Sequence, residues 1–449
     1  MNRTVATISD PTRGGVGRSP GAQSAAVFAQ DFEFGLLPFA ARTVLGLFRR
    51  IAHGTLVLTL PDGRSLEFGA GAPHATLAVH EWRVFGEAMS GGDTAFAEAY
   101  LRGSWSSADP AVLLTLLTRN REAIEAALYG GFWGGLLYRL KHLFNSNTRS
   151  GSRRNIAAHY DLGNAFYKLW LDPSMTYSSA LFSADHVAGI DANSGGAVVT
   201  LQQAQLAKYR RILERLAPKP GARILEIGCG WGGFAEMAAR DFGCHVTGLT
   251  LSHEQLAYAT DRLARAGLAD KADLRLQDYR DLDGQFDHVV SIEMFEAVGE
   301  RYWPDYFRAL ASSLRPGGRA LVQTITISAS LFERYSKGTD FIQQYIFPGG
   351  MLPSPARFRT EAAAAGLQVE SAHAFGRDYA ETLRRWRAAF MAALPAVREQ
   401  GFDERFIRMW EFYYCYCEAG FDSGSTDVYQ FELVKSAMAK TAMAKTAQA

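Results

Sequence analysis

The chain has 449 residues, 48% of them hydrophobic, and 47 Lys and Arg against 46 Asp and Glu, for a net charge of +1. The balanced charge excludes a nucleic-acid binder that depends on a strong overall positive charge, and no apolar run approaches the ~20 residues that span a bilayer. Four cysteines without a C-x-x-C pair argue against a disulfide framework or a zinc site. We therefore predict a cytoplasmic protein of about two to four globular domains that holds no metal.

Changes in composition along the chain predict five segments. Both ends are polar or repetitive, which is typical of disordered tails. The segments are a disordered N-terminus (1–28), a small α+β domain (29–120), a basic and aromatic linker helix region (121–156), an α/β domain (157–437) and a disordered tail (438–449).

The small N-terminal domain contains a predicted hairpin. Thr55 to Leu60 and Ser65 to Phe68 alternate apolar and polar residues on either side of a Pro-Asp-Gly turn. A helix is predicted from Asp93 to Arg102, because Gly103 ends its pattern.

The linker region has a local charge excess that the chain total hides. From Ala126 to Tyr160 there is no acidic residue, whereas five Lys and Arg and several aromatic residues occur there. Basic and aromatic residues together suit the surface of an anionic membrane. The alternative is a linker helix that packs its aromatic side chains on a neighbouring domain.

Beyond residue 219, predicted strands and helices alternate. The predicted strands are 222–227, 245–250, 272–277, 286–292, 319–327 and 428–434, and the predicted helices are 231–242, 254–266 and 303–314. This alternation predicts an α/β domain with a mostly parallel sheet.

A glycine-rich loop follows the first of these strands. Gly228, Gly230 and Gly233 fit the pattern G-x-G-x-x-G between a strand and a helix, where the backbone can approach a ligand closely. A tight turn without a ligand is the alternative. A dinucleotide site would place a carboxylate at the end of the second strand, but that strand ends in Leu249-Thr250.

Three ordered motifs instead resemble class I S-adenosylmethionine (SAM) methyltransferases. They are Glu226-Ile227-Gly228-Cys229-Gly230, Gln277-Asp278-Tyr279 and Leu314-Arg315-Pro316-Gly317-Gly318. The resemblance implies SAM as cofactor and a Rossmann-like, mostly parallel seven-stranded sheet.

Further motifs resemble the cyclopropane-fatty-acyl-phospholipid synthase family. They are His159 to Asn164, Leu171 to Pro173, Met175 to Ser179, Gly248 to Ser252 with Gln255, Met294 to Gly299, Tyr345 to Gly350 and Phe375 to Tyr379. The resemblance implies an enzyme that methylates the double bond of an unsaturated acyl chain in a phospholipid and forms a cyclopropane. It also implies a cytoplasmic enzyme that binds the inner membrane surface peripherally, and it allows a homodimer.

The same resemblance assigns cofactor-binding residues. These are Gly228 and Gly230 along SAM, with Glu226 in the preceding strand, Thr250 and Gln255 at the ribose, Gln277 and Asp278 at the adenine, and Tyr177 and Ser178 at the methionine end. The alternative for the polar residues is that they cap the helices that follow them.

The reaction leaves a carbocation on the acyl chain, so the site must exclude water and contain a base. In the resembled family, a bicarbonate ion held by a Cys backbone, a Glu, a His and a Tyr is understood to act as the base. The matching residues here are Ser179, Glu296, Gln323 and Tyr379. Because glutamine cannot titrate, ring closure is in doubt, and a methylene- or methyl-branched product is the alternative.

Aromatic residues crowd the C-terminal part of the chain. They are Phe341, Tyr345, Phe347, Trp386, Phe406, Trp410, Phe412, Tyr413, Tyr414 and Tyr416. Ordinary core and an acyl tunnel have the same composition, so both interpretations stay open. Two other functions are also open: methylation of a soluble small molecule, and lipid binding without catalysis.

Overall fold

The computed structural model describes residues 27–28, 35–128, 162–182 and 199–435 of the chain. The predicted tail, nearly all of the predicted disordered N-terminus and most of the basic and aromatic segment lie outside these residues. Val27–Phe28, which we expected to be disordered, form a short strand. It pairs with Leu66 and Glu67 and so provides hydrogen-bond partners for part of the edge of that strand.

The N-terminal part of the chain forms a five-stranded sheet with helices packed on it. In chain order its elements are β1 (Val27–Phe28), α1 (Phe39–Phe48), β2 (Gly54–Thr59), β3 (Ser65–Ala70), β4 (His74–Val79), α2 (Arg83–Leu101), β5 (Trp105–Ser106), α3 (Pro110–Arg119) and α4 (Arg121–Leu128). The strands lie in the order β1-β3-β2-β4-β5. The predicted hairpin is present as the antiparallel pair β2 and β3, whereas we did not predict β4, which lies parallel to β2.

The second part of the chain contains a larger sheet with helices on both faces. Its elements are α5 (Gly163–Tyr167), α6 (Leu201–Leu216), β6 (Arg223–Ile227), α7 (Gly233–Phe242), β7 (His245–Thr250), α8 (His253–Arg265), β8 (Ala272–Leu276), β9 (Phe286–Ile292), α9 (Trp303–Ser313), β10 (Leu314–Ile327), α10 (Ala329–Tyr335), α11 (Pro355–Ala364), β11 (Leu367–Ala374), α12 (Gly376–Ala392), α13 (Leu394–Glu399), α14 (Glu404–Asp422) and β12 (Thr426–Lys435).

This sheet has seven strands in the order β11-β12-β10-β9-β6-β7-β8. The strands from β10 to β8 are parallel, and β12 is antiparallel to both β10 and β11. The predicted mostly parallel seven-stranded sheet is therefore confirmed. Ile227 pairs with Leu249 on one side and Ser291 on the other, so the carboxyl ends of β6, β7 and β9 meet at one edge, where ligands bind in such sheets.

Local sequence explains several of these elements. A capping box between Thr200 and Gln203 starts α6, and Ala217 ends it in a left-handed conformation. All residues of β6 after Arg223 are buried, as expected for a central strand covered on both faces. Among the described residues, no helix is both long enough and apolar enough to cross a bilayer.

The two parts share one hydrophobic core. The ring centroid of Phe412 in α14 lies 5.6 Å from that of Tyr100 and 6.4 Å from that of Trp105 in the N-terminal part. Trp105 and Phe412 are almost completely buried. The N-terminal part therefore packs firmly against the larger sheet domain.

Candidate active site

A cavity of about 960 Å³ lies at the carboxyl edge of the parallel strands. Its wall includes Gly228 of the glycine loop, Glu293 and Tyr379, and Phe85 and Leu114 of the N-terminal part. The volume is at the upper end of the range for small-molecule sites, so a cofactor and a second elongated ligand have room.

All the residues expected to bind the cofactor line this cavity. They are Tyr177, Ser178, Glu226, Gly228, Gly230, Thr250, Gln255, Gln277 and Asp278. Of the expected catalytic residues, Glu296 and Tyr379 also line it, whereas Ser179 and Gln323 are fully buried.

The glycine loop is built so that a ligand can approach its backbone. Gly228 has φ +86°, and a Cβ there would lie 3.0 Å from the Met294 side chain. Gly230 has φ +50°, and a Cβ there would meet open space. The carbonyl of Leu249 at the end of β7 accepts from the N–H groups of Gly228 (3.0 Å) and Cys229 (2.8 Å), which fixes the loop beside the strand end.

Two of the expected polar residues bond to each other. The Thr250 hydroxyl donates to Gln255 Oε1 over 2.8 Å, and both side chains are buried at the cavity wall. Asp278 behaves differently, because its carboxylate accepts from the backbone N–H of Arg280 (3.0 Å) and from its guanidinium (2.6 and 2.9 Å). Its side chain thus has the local capping role that we considered as the alternative.

Glu226 supplies an oxygen that lacks a protein partner. Its side chain is buried in β6 and lines the cavity, and within the described part of the chain Oε2 has no hydrogen-bond donor. Burial raises the pKa of this carboxyl well above its ordinary value. An unpartnered acceptor beside an open glycine loop fits SAM, whose amino and hydroxyl groups can donate to it.

The structure adds Glu293, which sequence reasoning missed. Its Oε1 accepts from the backbone N–H of Ser179 over 2.8 Å and from Gln323 Nε2 over 2.7 Å, and its Oε2 accepts from the Tyr379 hydroxyl over 2.5 Å. These are three of the four groups expected to hold bicarbonate. Because the Glu293 carboxylate occupies their donors, the residues present do not fit a bicarbonate ion there. A carboxylate directly after β9 was the signal that could have found it.

Glu296 lies beside Glu293. Its Oε1 accepts from the Thr324 hydroxyl (2.9 Å) and the backbone N–H of Ile325 (2.5 Å), while Oε2 has no donor among the described residues. Burial, and then the charge of Glu293, raise the pKa of Glu296 to about 8. The two carboxyls therefore titrate as a pair. Because Glu293 accepts three hydrogen bonds, as a carboxylate does, the proton that the pair holds at neutral pH belongs to Glu296.

A buried lysine opposes the rise in the pKa of Glu293. Lys208 is fully buried and donates to Ser178 Oγ over 2.5 Å and to Gln205 Oε1 over 2.8 Å. Burial lowers the pKa of Lys208 to about 7, although the charges of Glu293, Asp172 and Glu226 oppose this shift. Lys208 lies behind Ser178, and in its charged form it favours an ionised Glu293 over a protonated one.

Comparison with known proteins identifies the family. Residues 147–431 match the family model described as mycolic acid cyclopropane synthetase. The chain belongs to this family. It is therefore an SAM-dependent methyltransferase, as we predicted from its motifs. When bound, SAM supplies an electrophilic methyl group.

Several known proteins are similar to this chain over most of their own length. Tuberculostearic acid methyltransferase UfaA1 of Mycobacterium tuberculosis is 40% identical over 87% of this chain and 90% of its own. Cyclopropane-fatty-acyl-phospholipid synthase of Escherichia coli K12 is 34% identical over 80% of this chain and 88% of its own. The structure of mycolic acid cyclopropane synthase CmaA1 with SAH and CTAB matches with a TM-score of 0.57 and 32% identity, over 63% of this chain and 97% of that one.

One part of the cavity wall is apolar and comes from the N-terminal part of the chain, and we call it the apolar arm. The arm is lined by residues of α1, β4, α2 and α3, among them Leu47, Phe48, Leu77, Phe85 and Leu114. Of the aromatic residues that could form a tunnel, Phe347, Tyr413 and Tyr416 line the cavity, whereas Trp386, Trp410, Phe412 and Tyr414 are buried core. The core interpretation is correct for most of that set, and the arm comes mainly from the N-terminal part.

The raised pKa of Glu296 predicts a specific pH dependence of stability. The pKa of Glu296 in the folded protein, about 8, lies above its ordinary value near 4.5. The protonated side chain therefore contributes its full stabilisation below about pH 4.5, and this contribution is lost as the pH rises towards 8. The difference in free energy of unfolding between wild type and Glu296→Gln should therefore change by up to about 1.4 kcal/mol per pH unit in this window. Urea denaturation at several pH values measures it. The exposed Glu399→Gln is the control, and parallel curves for wild type and Glu296→Gln would contradict the prediction.

Proposed function

We propose that this enzyme transfers the methyl group of SAM to the double bond of an unsaturated acyl chain in a membrane phospholipid, and that its product is a methylene- or methyl-branched chain. The cavity carries this proposal, because its wall contains the glycine loop, the two buried carboxyls and apolar residues of the N-terminal part. A soluble polar substrate would leave the arm without a function.

The residues of the cavity suit a cationic intermediate. Methyl transfer to one alkene carbon leaves a positive charge on its neighbour, and the aromatic residues Tyr177, Phe347 and Tyr413 line the cavity. Aromatic faces stabilise a cation without attacking it. The Tyr177 and Tyr413 hydroxyls bond to each other over 2.8 Å, which holds both rings in place.

The product depends on which proton the cation loses. Loss of a proton from the carbon that carries the new methyl group gives a methyl-branched alkene. A hydride shift followed by loss of a methyl proton gives a methylene branch, and ring closure with loss of a methyl proton gives a cyclopropane. All three products have the same mass. A saturated methyl branch needs two further hydrogens from a separate reductant.

Two observations favour the branched product over the cyclopropane that the resemblance implies. Ser179 and Gln323 replace the Cys and His of the resembled family, and both now donate to a protein carboxylate. In addition, the relatives include tuberculostearic acid methyltransferase UfaA1, at 40% identity, and a probable fatty acid methyltransferase of Pseudomonas putida, at 33%. Peripheral binding to an anionic membrane belongs to the same proposal, since the acyl chain must leave a bilayer to enter the arm.

Product analysis tests the proposed function. The purified enzyme is incubated with SAM and vesicles of dioleoyl phosphatidylglycerol. The released fatty acids are analysed by proton NMR, and by mass spectrometry before and after mild hydrogenation. We expect a product one CH₂ heavier that takes up hydrogen and has no cyclopropane proton resonances. Distearoyl vesicles are the control and should give no product. A product that resists hydrogenation would establish the cyclopropane instead.

Narrowing the apolar arm should change the preferred acyl length. Ala88 in α2 lines the cavity and is only half-buried, so Ala88→Trp adds bulk to the arm with little strain in the core. We expect the kcat/KM ratio of C18 to C14 acyl chains to fall about tenfold, because one or two methylene groups lose their site. Ala95→Trp, in the second half of α2 beyond the kink at Gly92 and away from the cavity wall, is the control. An unchanged ratio for Ala88→Trp would show that the acyl chain binds elsewhere.

A further inference from the structure

We propose that Glu293 is the base of this enzyme and replaces a bound bicarbonate ion, so that the reaction proceeds without bicarbonate. This inference rests on the proposed function, because the proton that Glu293 removes comes from the methylated acyl chain. Four kinds of observation support it.

The first observation is that the Glu293 carboxylate already occupies the donors of the expected anion site. The Glu293 carboxylate accepts from Ser179 N–H, Gln323 Nε2 and the Tyr379 hydroxyl at 2.8, 2.7 and 2.5 Å. A second anion would find these donors already used and would be repelled by the carboxylate. An anion site with this donor set is thus filled by the chain itself.

The second observation is the direction of the hydrogen bonds. Arg211 can only donate, and it donates to Gln430 Oε1. Gln430 Nε2 then donates to Gln323 Oε1 over 3.0 Å, which leaves Gln323 Nε2 to donate to Glu293. This series of hydrogen bonds from Arg211 therefore fixes the orientation of the Gln430 and Gln323 side-chain amides. It also requires an acceptor oxygen on Glu293.

The third observation is the count of acceptor positions. An ionised carboxylate offers about four lone-pair positions, two on each oxygen. Oε1 uses two of them for Ser179 and Gln323, and Oε2 uses one for Tyr379. Among the described residues, one position on Oε2 is therefore left to accept a proton, and Glu293 is part of the cavity wall.

The fourth observation is the backbone. Glu293 has φ +50°, a left-handed conformation that is strained for a non-glycine residue. Its N–H donates to the Gln323 carbonyl over 2.8 Å. The strained turn directs the carboxylate to its donors, as is common where strain has a function.

The electrostatic surroundings suit a base. Burial raises the pKa of Glu293 above its ordinary value, while Lys208, the Tyr379 hydroxyl, the Ser179 N–H and Gln323 oppose this shift. A carboxylate with a raised pKa accepts a proton more readily at neutral pH. Glu296, which is protonated at neutral pH, is a positioning residue in this scheme.

The proton step balances without another reactant. The C–H electron pair of the methylated cation forms the new C=C bond, and the proton goes to Oε2 of Glu293. The neutral acid returns the proton to water after the product leaves. No redox partner is needed.

Bicarbonate dependence tests this inference. Turnover on dioleoyl phosphatidylglycerol vesicles is measured in buffer freed of CO₂ and with added bicarbonate, for wild type and Glu293→Gly. Glycine suits φ +50° and opens the space between the donors. Calorimetric titration of bicarbonate into each protein with SAH gives a readout that does not depend on turnover. Ala217→Gly is the control, since Ala217 has φ +47° and is exposed, far from the cavity.

We expect wild type and Ala217→Gly to turn over equally with and without bicarbonate and to bind none. Glu293→Gly should lose at least 100-fold in CO₂-free buffer, bind bicarbonate and recover at least tenfold when it is added. Wild-type turnover that collapses without bicarbonate would overturn the inference and leave the proposed function standing. Product from Glu293→Gly at the wild-type rate without bicarbonate would overturn it as well. A lack of methylated lipid from wild type under every condition would instead refute the proposed function, and the inference with it.

Discussion

Glu293→Gln is expected to lower the formation of methylated lipid by about 10²- to 10⁴-fold, the usual effect of losing a general base. Glutamine keeps the size of the side chain but removes its basic oxygen, and its amide N–H₂ would face a group that also donates. Binding of SAM should change little, because Glu293 contacts Ser179, Gln323 and Tyr379 rather than the glycine loop. Single-turnover kinetics with dioleoyl phosphatidylglycerol vesicles and calorimetric titration of SAM measure the two effects.

Glu296→Gln is the matched comparison for this prediction. Glu296 carries a proton at neutral pH because its pKa is about 8, so glutamine is close to its native state in charge and shape. We expect a loss of less than about tenfold, below the range for a general base. If Glu296→Gln instead abolishes turnover and Glu293→Gln does not, the roles of the two carboxyls are reversed.

Gly228→Ala is expected to weaken SAM binding by about 10- to 100-fold, or roughly 1.4–2.8 kcal/mol. The added Cβ would lie 3.0 Å from Met294 and would stand where the loop must approach its ligand. Gly221→Ala is the control, since Gly221 has φ +80° and nothing within 4 Å of an added Cβ. Both variants bear the cost of a left-handed alanine, so both should unfold at a lower temperature. Equal SAM affinity in the two variants would remove Gly228 from the cofactor site.

The seven-stranded sheet and the position of the cofactor residues could be predicted from sequence. Parallel strands place their carboxyl ends at one edge, so Gly228 and Thr250 had to be neighbours once β6 and β7 were recognised. We did not predict β4 and β11, in which small residues such as Ala75 and Ala372 occupy several of the apolar positions.

Glu293 and the apolar arm could not be predicted in the same way. Glu293 gains its role from a left-handed turn and from Ser179 and Tyr379, which lie 114 and 86 residues away in the chain. The arm depends on how the N-terminal helices pack against the larger sheet domain. Aromatic composition also failed to separate core from cavity, because Tyr413 lines the cavity while the adjacent Tyr414 is buried behind it.

The origin of the apolar arm has a consequence for how acyl specificity diversifies. The residues that line the arm belong to α1, β4, α2 and α3, all before residue 147, where the match to the family model begins. The carboxyl pair and the glycine loop lie inside that match. Under the proposed function, the residues that set substrate length and those that carry the reaction therefore lie in separate stretches of the chain. Exchange of the first stretch between relatives is a route to a new chain-length preference that leaves the methyl-transfer machinery intact.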